Sequence, residues 1–260
     1  MRAKAVAVLT ICASLAFCAS AQEKMQKARE KDPKYQYNLG LFHLNQNNAD
    51  EAIKCFVKAL ALDARFFQAW NMIGLAHASK GHLEEAVKAY QKSLEINPQF
   101  TEVHNNLGTV YQEMGQLDKA ETEYKKALSD PTYLNRESPS YNLARLYLLQ
   151  NRLDEALENV QKSAQFKLRF AMAHDLQGVI QEKLGNLPEA IASYEAAVKI
   201  EPEEVPFSYR LAVAHFKAGN YARAKEIFLK ISARVTDAES KDAIANYLKL
   251  IRDKGGLGPV

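Results

Sequence analysis

The chain is poor in cysteine. Three occur in 260 residues, and Cys12 and Cys18 both fall within the first 21. Beyond that stretch Cys55 stands alone, so no internal disulfide can form there. Its place beside Phe56 in a helical pattern reads as packing. Charge of one sign is lacking too: there is no run of five or more like charges. The 34 basic residues less Arg2 and Lys4 leave 32 against 31 acidic, a formal +1. That is no electrostatic footprint for nucleic acid. The motifs GxSxG, HExxH, GxGxxG and the P-loop are absent, which removes the common signatures of nucleophilic, metalloprotease and nucleotide chemistry. No catalytic residue, metal or cofactor is expected, and the chain does not read as an enzyme.

The first 21 residues, "MRAKAVAVLTICASLAFCASA", place two basic residues before a 13-residue apolar run, Ala5 to Phe17, and end in small residues. The run is too short to span a bilayer and has the flanks of a secretory signal. Ala19-Ser20-Ala21 is an A-x-A cleavage site, giving a periplasmic protein cut after Ala21. The alternative is Leu15-Ala16-Phe17-Cys18, which resembles a bacterial lipobox. Acylation of Cys18 would then anchor an outer-membrane lipoprotein facing the periplasm, although Phe17 departs from the Gly, Ala or Ser usual at its position. Residues 22–32 read as a polar linker.

What is present is a clock. Ala52, Ala86, Ala120, Ala156, Ala190 and Ala224 are spaced 34, 34, 36, 34 and 34 apart. Twelve residues before each stands Gly40, Gly74, Gly108, Ala144, Gly178 or Ala212. Four after each stands Phe56, Tyr90, Tyr124, Val160, Tyr194 or Phe228. Five before each comes Asn47, Gly81, Gly115, Asn151, Gly185 or Gly219. A position that is always Gly or Asn between two helical patterns is a left-handed turn, so it separates a helix A from a helix B. Small residues mid-helix let two backbones approach, and the bulky residue fills the space beside them.

These columns resemble the tetratricopeptide repeat, most fully at Trp70, Gly74, Ala86, Tyr90 and Pro98. The resemblance implies an all-α, right-handed solenoid of six helix pairs, at 33–66, 67–100, 101–134, 137–170, 171–204 and 205–238. Thr236-Asp237-Ala238-Glu239 reads as a capping box opening a terminal helix over 239–253, with a tail over 254–260. Five of the six histidines are spread by the same clock: His43, His77 and His215 share one column, His104 and His174 another, and only His82 lies off them, on a turn. Distribution by the repeat speaks against a metal site.

In this fold helix A lines the concave surface at repeat positions 5, 9 and 12, and the partner expected there is a protein or peptide. Tyr37, Leu41 and Leu44 supply the first repeat, Asn71 and Leu75 the second, Asn105 the third. Tyr141 and Arg145 supply the fourth, Asp175, Val179 and Glu182 the fifth, and Tyr209, Val213 and Phe216 the sixth. The groove is expected to be apolar at its ends and polar between, and exposed apolar surface of this kind marks partner sites. Tyr35, Leu39 and Phe42, on the other stripe of the first helix, should pack against helix B.

The 36-residue step falls within "ALSDPTYLNRESPSYNLA". Asp130-Pro131 stops one helix, and Ser138 reads as an N-cap with Pro139 at the first helical position. Ala127, Leu128, Asp130, Pro131, Tyr133, Pro139, Asn142 and Ala144 resemble the same junction in the type IV pilus biogenesis and stability proteins. Those are six-repeat proteins, usually outer-membrane lipoproteins, that help the pilus secretin assemble. The resemblance implies a non-enzymatic scaffold with an outer-membrane secretin as partner, touching the membrane only through a lipid anchor. Two alternatives stand: a general periplasmic adaptor for envelope or secretion machinery, and the repeat region of a glycosyl- or peptide-processing enzyme. No catalytic domain follows the cap in this sequence, which counts against the second.

Overall fold

The computed structural model describes residue 25 and residues 28–255. The export signal over 1–21 and residues 256–260 of the tail lie outside the described residues. In the stretch expected as a linker, residues 28–30 are helical, and Asp32 caps the helix that follows by accepting from the Lys34 N–H at 2.9 Å. The chain divides into two compact units, Met1–Ala120 and Glu121–Val260.

The first unit holds α1 (Pro33–Asn45), α2 (Ala49–Leu62), α3 (Phe67–Ser79), α4 (Leu83–Ile96), α5 (Thr101–Glu113) and the first turn of α6 (Leu117–Ser129). The second holds the rest of α6, then α7 (Glu137–Leu149), α8 (Leu153–Phe166), α9 (Ala171–Lys183), α10 (Leu187–Ile200), α11 (Val205–Lys217), α12 (Tyr221–Ser232) and α13 (Ala238–Gly255). In the first unit α1 packs on α2 and α3 on α4, with α2 also meeting α3 and α4 meeting α5. In the second, α7 pairs with α8, α9 with α10 and α11 with α12, and α13 closes on α12. No strand occurs among the described residues. The fold is the all-α tetratricopeptide repeat solenoid.

Every helix A ends the same way. Asn47, Gly81, Gly115, Asn151, Gly185 and Gly219 all have positive φ, from 58° at the two asparagines to 83° at Gly185. The following residue's N–H then reaches back five positions. Asn48 donates to the His43 carbonyl at 2.9 Å, Gln116 to Tyr111 at 2.8 Å and Asn220 to His215 at 2.9 Å. This closes two carbonyls that a helix end leaves without partners. The left-handed residue is therefore a condition of the turn, which is why only Gly and Asn occupy it.

The small-residue column is equally strict. A Cβ added at Gly40 would lie 2.4 Å from the Phe56 ring, at Gly74 2.5 Å from Tyr90, and at Gly178 2.5 Å from Tyr194. Those three rings are fully buried. These three repeats are thus keyed by one aromatic ring packed on a bare backbone, and the alanines that keep time are buried in all six.

Three local expectations are corrected. The terminal helix is capped by Asp237: its carboxylate accepts from the Ser240 N–H at 2.8 Å, so the helix starts at Ala238 and the Thr236 box does not form. A carboxylate at a helix N-terminus also gains from the helix dipole, which a hydroxyl does not. At the junction, α7 starts at Glu137, with Arg136 as its N-cap residue and no side-chain cap. Ser138 is inside the helix, and Pro139 sits in its first turn, where the missing N–H costs nothing. Finally, Phe42 is 54% exposed and Leu39 only half-buried. Helix α1 meets α2 through the face of Gln36 and Gly40, because Phe56 needs bare backbone, and Phe42 lies about 200° around the helix from Gly40.

Candidate partner-binding surfaces

In the first unit Leu41, Leu44, Met72 and Leu75 line a cleft of about 400 Å³. Asn45, Asn47 and Ser79 stand at its polar margin, and Lys80, also lining it, is ion-paired with Asp50. Leu75 is 43% exposed. Leu41 and Leu44 are half-buried, packed at the edge of the cluster around Phe56 and Ile73. Tyr37 is drawn further in. Its ring lies 5.6 Å from Phe56 and 5.0 Å from Phe66, and burial pushes its hydroxyl pKa up. Of the four residues expected to receive a partner at this end, three share the cleft and Tyr37 supports its floor.

Asn71 departs from expectation. It is 1% exposed, its Oδ1 accepts from Asn106 Nδ2 at 3.0 Å, and its Nδ2 reaches Glu102 at 3.5 Å. A buried amide with both ends satisfied joins one helix A to the next and is closed to a partner. The second unit repeats the device with other chemistry. Arg210 Nε donates to Asp175 Oδ1 at 2.6 Å, and Lys217 pairs with Glu182. Burial drives the Asp175 carboxyl above its usual range, although the Arg210 guanidinium pulls the other way. All three links span 35 residues, one more than the repeat. The sequence reading missed this ladder, whose signal would have been polar pairs at that offset.

A second cleft, of about 350 Å³, is lined by Val179, Glu182, Tyr194, Tyr209, Arg210, Val213 and Tyr247, among others. The apolar end expected here is largely covered. Tyr209 lies 6.2 Å and Phe216 5.2 Å from the Tyr247 ring of α13, and Lys254 caps Phe216 at 5.4 Å. Val213 remains in the cleft. Tyr141 packs against Phe170 at 5.3 Å with the exposed Arg145 over its ring at 5.9 Å, and Asn105 is half-buried, its carbonyl accepting from Thr109 at 3.2 Å. Cys18 lies outside the described residues.

A charged knot sits beside α7. Glu121 accepts from Tyr147 at 2.9 Å, Arg152 at 2.8 Å and Lys125 at 2.6 Å, and the Arg152 guanidinium lies 4.1 Å from the Tyr147 ring. Burial alone would raise the Glu121 pKa, but these hydrogen bonds hold it at about 2. The charged groups of the knot are paired with one another. His77 is half-buried and His215 buried, and desolvation lowers both pKa values. Among the described residues no group of three or more His, Cys, Asp or Glu could hold a metal ion, and no helix is long and apolar enough to cross a membrane.

Repeated helix pairs closed by a left-handed Gly or Asn, with helix A residues lining the clefts, define a protein-interaction fold, and comparison with known proteins agrees. Tetratricopeptide repeat family models match residues 33–66, 74–115 and 105–130, and the C-terminal ARM domain of tetratricopeptide repeat protein 21 matches 122–238. No curated protein matches the sequence. Among solved structures, PilW, a widely conserved type IV pilus biogenesis factor, is similar with a TM-score of 0.74 at 17% identity, over 82% of this chain and 98% of PilW. PilF of Pseudomonas aeruginosa gives 0.73 at 17% identity, over 84% and 99%. YrrB, a tetratricopeptide repeat protein with an unusual peptide-binding site, gives 0.52 at 21% identity, over 71% and 94%. The chain is a tetratricopeptide repeat protein. Within that class its fold resembles the pilus biogenesis factors PilW and PilF.

Proposed function

We propose that this chain is an exported, non-enzymatic scaffold that supports type IV pilus assembly by binding an outer-membrane secretin or its precursor. The observation that carries the reading is the fold match over nearly the full length of two pilus biogenesis proteins, which the junction motif from Ala127 to Ala144 supports independently. The receiving surface is the cleft of Leu41, Leu44 and Leu75, where an extended segment of the partner would bury apolar side chains.

Deletion in the bacterium that carries the chain, followed by electron microscopy for pili and immunoblotting for secretin multimers, tests the function. Loss of both, restored by the wild-type chain and not by Leu75→Ser, is the expected result. Normal pili and normal multimers in the deletion strain would remove the pilus reading and leave a general periplasmic adaptor, for which the likeness to YrrB speaks. Mass spectrometry of the mature N-terminus decides how the chain is held: Gln22 or its pyroglutamate means a soluble form, an acylated Cys18 a lipoprotein.

A further inference from the structure

Two neighbouring loops of the second unit differ from the other inter-repeat connections. Those at 63–66, 97–100 and 201–204 read DARF, NPQF and EPEE, with polar, small or proline residues at their exposed tips. The connection at 130–136 instead carries Leu134, 92% exposed, and that at 167–170 carries Leu168, 78% exposed. Phe166 and Met172 flank the second loop and are also exposed. The two loops are fastened together. The Arg136 guanidinium lies 4.6 Å from the Phe166 ring, Ser163 donates to the Glu137 carbonyl at 2.8 Å, and Lys167 pairs with Glu137 at 3.8 Å. Both leucines therefore belong to one edge of the unit.

A single exposed leucine needs no explanation. Two exposed leucines on joined loops, with Phe166 and Met172 at the adjoining helix ends, are a patch, and its charge has a sign. Lys167 and Arg169 flank Leu168 and are exposed. Of the neighbouring acids, Asp130 accepts from the Thr132 N–H and hydroxyl at 2.8 and 2.6 Å, and Glu137 is half-buried against Lys167. The leucines also stand on loop tips and are not among the residues lining the two clefts described above. Exposed apolar tips, one of them flanked by Lys167 and Arg169 and with Arg136 at the base of the other, match the boundary layer of an anionic bilayer, where apolar side chains enter to about 5–10 Å and basic ones meet headgroups.

We propose that this edge is a peripheral membrane contact, in which Leu134 and Leu168 enter an anionic bilayer and Lys167 and Arg169 meet its headgroups. The proposal is independent of the pilus reading. Because the apolar run at 5–17 would itself attract lipid, the readout is local depth and not binding alone. In a Trp70→Phe background, which removes the single tryptophan, Leu134→Trp, Leu168→Trp and, as control, Ala64→Trp are made in the full chain. Each is mixed with phosphatidylglycerol-containing vesicles bearing brominated acyl chains. Quenching at 134 and 168, several-fold stronger than at 64, is expected. Reversing both charges (Lys167→Glu with Arg169→Glu) should weaken binding to anionic vesicles by at least about thirty-fold. Equal quenching at residue 64, or none at 134 and 168, overturns the proposal. If lipid leaves those two positions untouched while an acidic peptide shifts their emission, the edge is a protein contact instead.

Discussion

The fit of ring to backbone can be tested by moving one repeat's solution into another. Gly74 leaves room for Tyr90, and an added Cβ would meet the ring at 2.5 and 2.6 Å. Gly74→Ala therefore overpacks a fully buried site, at about 1–3 kcal/mol, offset by the ~1 kcal/mol that Ala gains over Gly within a helix. Tyr90→Val leaves a cavity where the ring was, at about 2–4 kcal/mol. The fourth repeat already joins the two changes, with Ala144 and Val160 in the same columns, both fully buried. The double variant Gly74→Ala, Tyr90→Val should then cost less than the sum of the singles by at least about 1 kcal/mol. Urea unfolding followed by circular dichroism, with the wild type and both singles in parallel, gives the cycle. Additivity within about 0.5 kcal/mol would refute the claim that ring and glycine are fitted to each other. The sixth repeat shows the other escape: Phe228 lies in the aromatic column opposite Ala212, and its ring stacks on Tyr247 at 5.1 Å.

Glu121, held at about 2 against an ordinary 4.5, contributes stability that is present above pH 4.5 and lost as pH falls through 2. The wild type should exceed Glu121→Gln by about 2 kcal/mol at pH 7, and the gap should close on acidification; a gap that is constant with pH rules the knot out as its source. Asp237→Ala should cost about 1 kcal/mol through the lost cap while Thr236→Ala costs a few tenths, and the reverse order in thermal melts would reinstate the Thr236 box. Leu75→Ser should abolish binding of an extended partner segment in calorimetry with a change in melting temperature of about 2 °C or less, since Leu75 is 43% exposed and surface changes stay within about 0.5 kcal/mol. A large fall in melting temperature would make it a core residue.

The parts of the fold that were legible in the sequence are those where one backbone condition recurs in every repeat. A left-handed residue such as Asn47 or Gly81 closes the same two carbonyls each time, so residue type and position repeat together. The same holds for Gly74 under Tyr90. Ends that occur once were harder to read. Two polar groups compete at Thr236 and Asp237, and side-chain geometry chooses between them, which a four-letter motif does not record. The exposure of Phe42 follows from the packing angle of α1 on α2, set by Phe56, a residue in the other helix.

The candidate surface divides along the same line. Position five of each helix A was read as groove, yet Asn71 and Asp175 spend it on the ladder to the next repeat and Tyr37 on the core. The ladder was invisible because its chemistry changes from amide–amide to carboxylate–guanidinium while only its geometry is kept. Position nine is different. It holds Leu41, Leu75 and Thr109 in the first unit and Arg145, Val179 and Val213 in the second, and of these six only Leu75 and Arg145 are exposed. The two positions lie one helical turn apart on the same helix face, so exposure at position nine depends on what neighbouring helices leave uncovered, and Leu41, Val179 and Val213 pack against buried clusters. Selectivity for a partner should therefore reside at Leu75 and Arg145, where sequence can change without loosening the stack, while Asn71 and Asp175 are held by the fold itself.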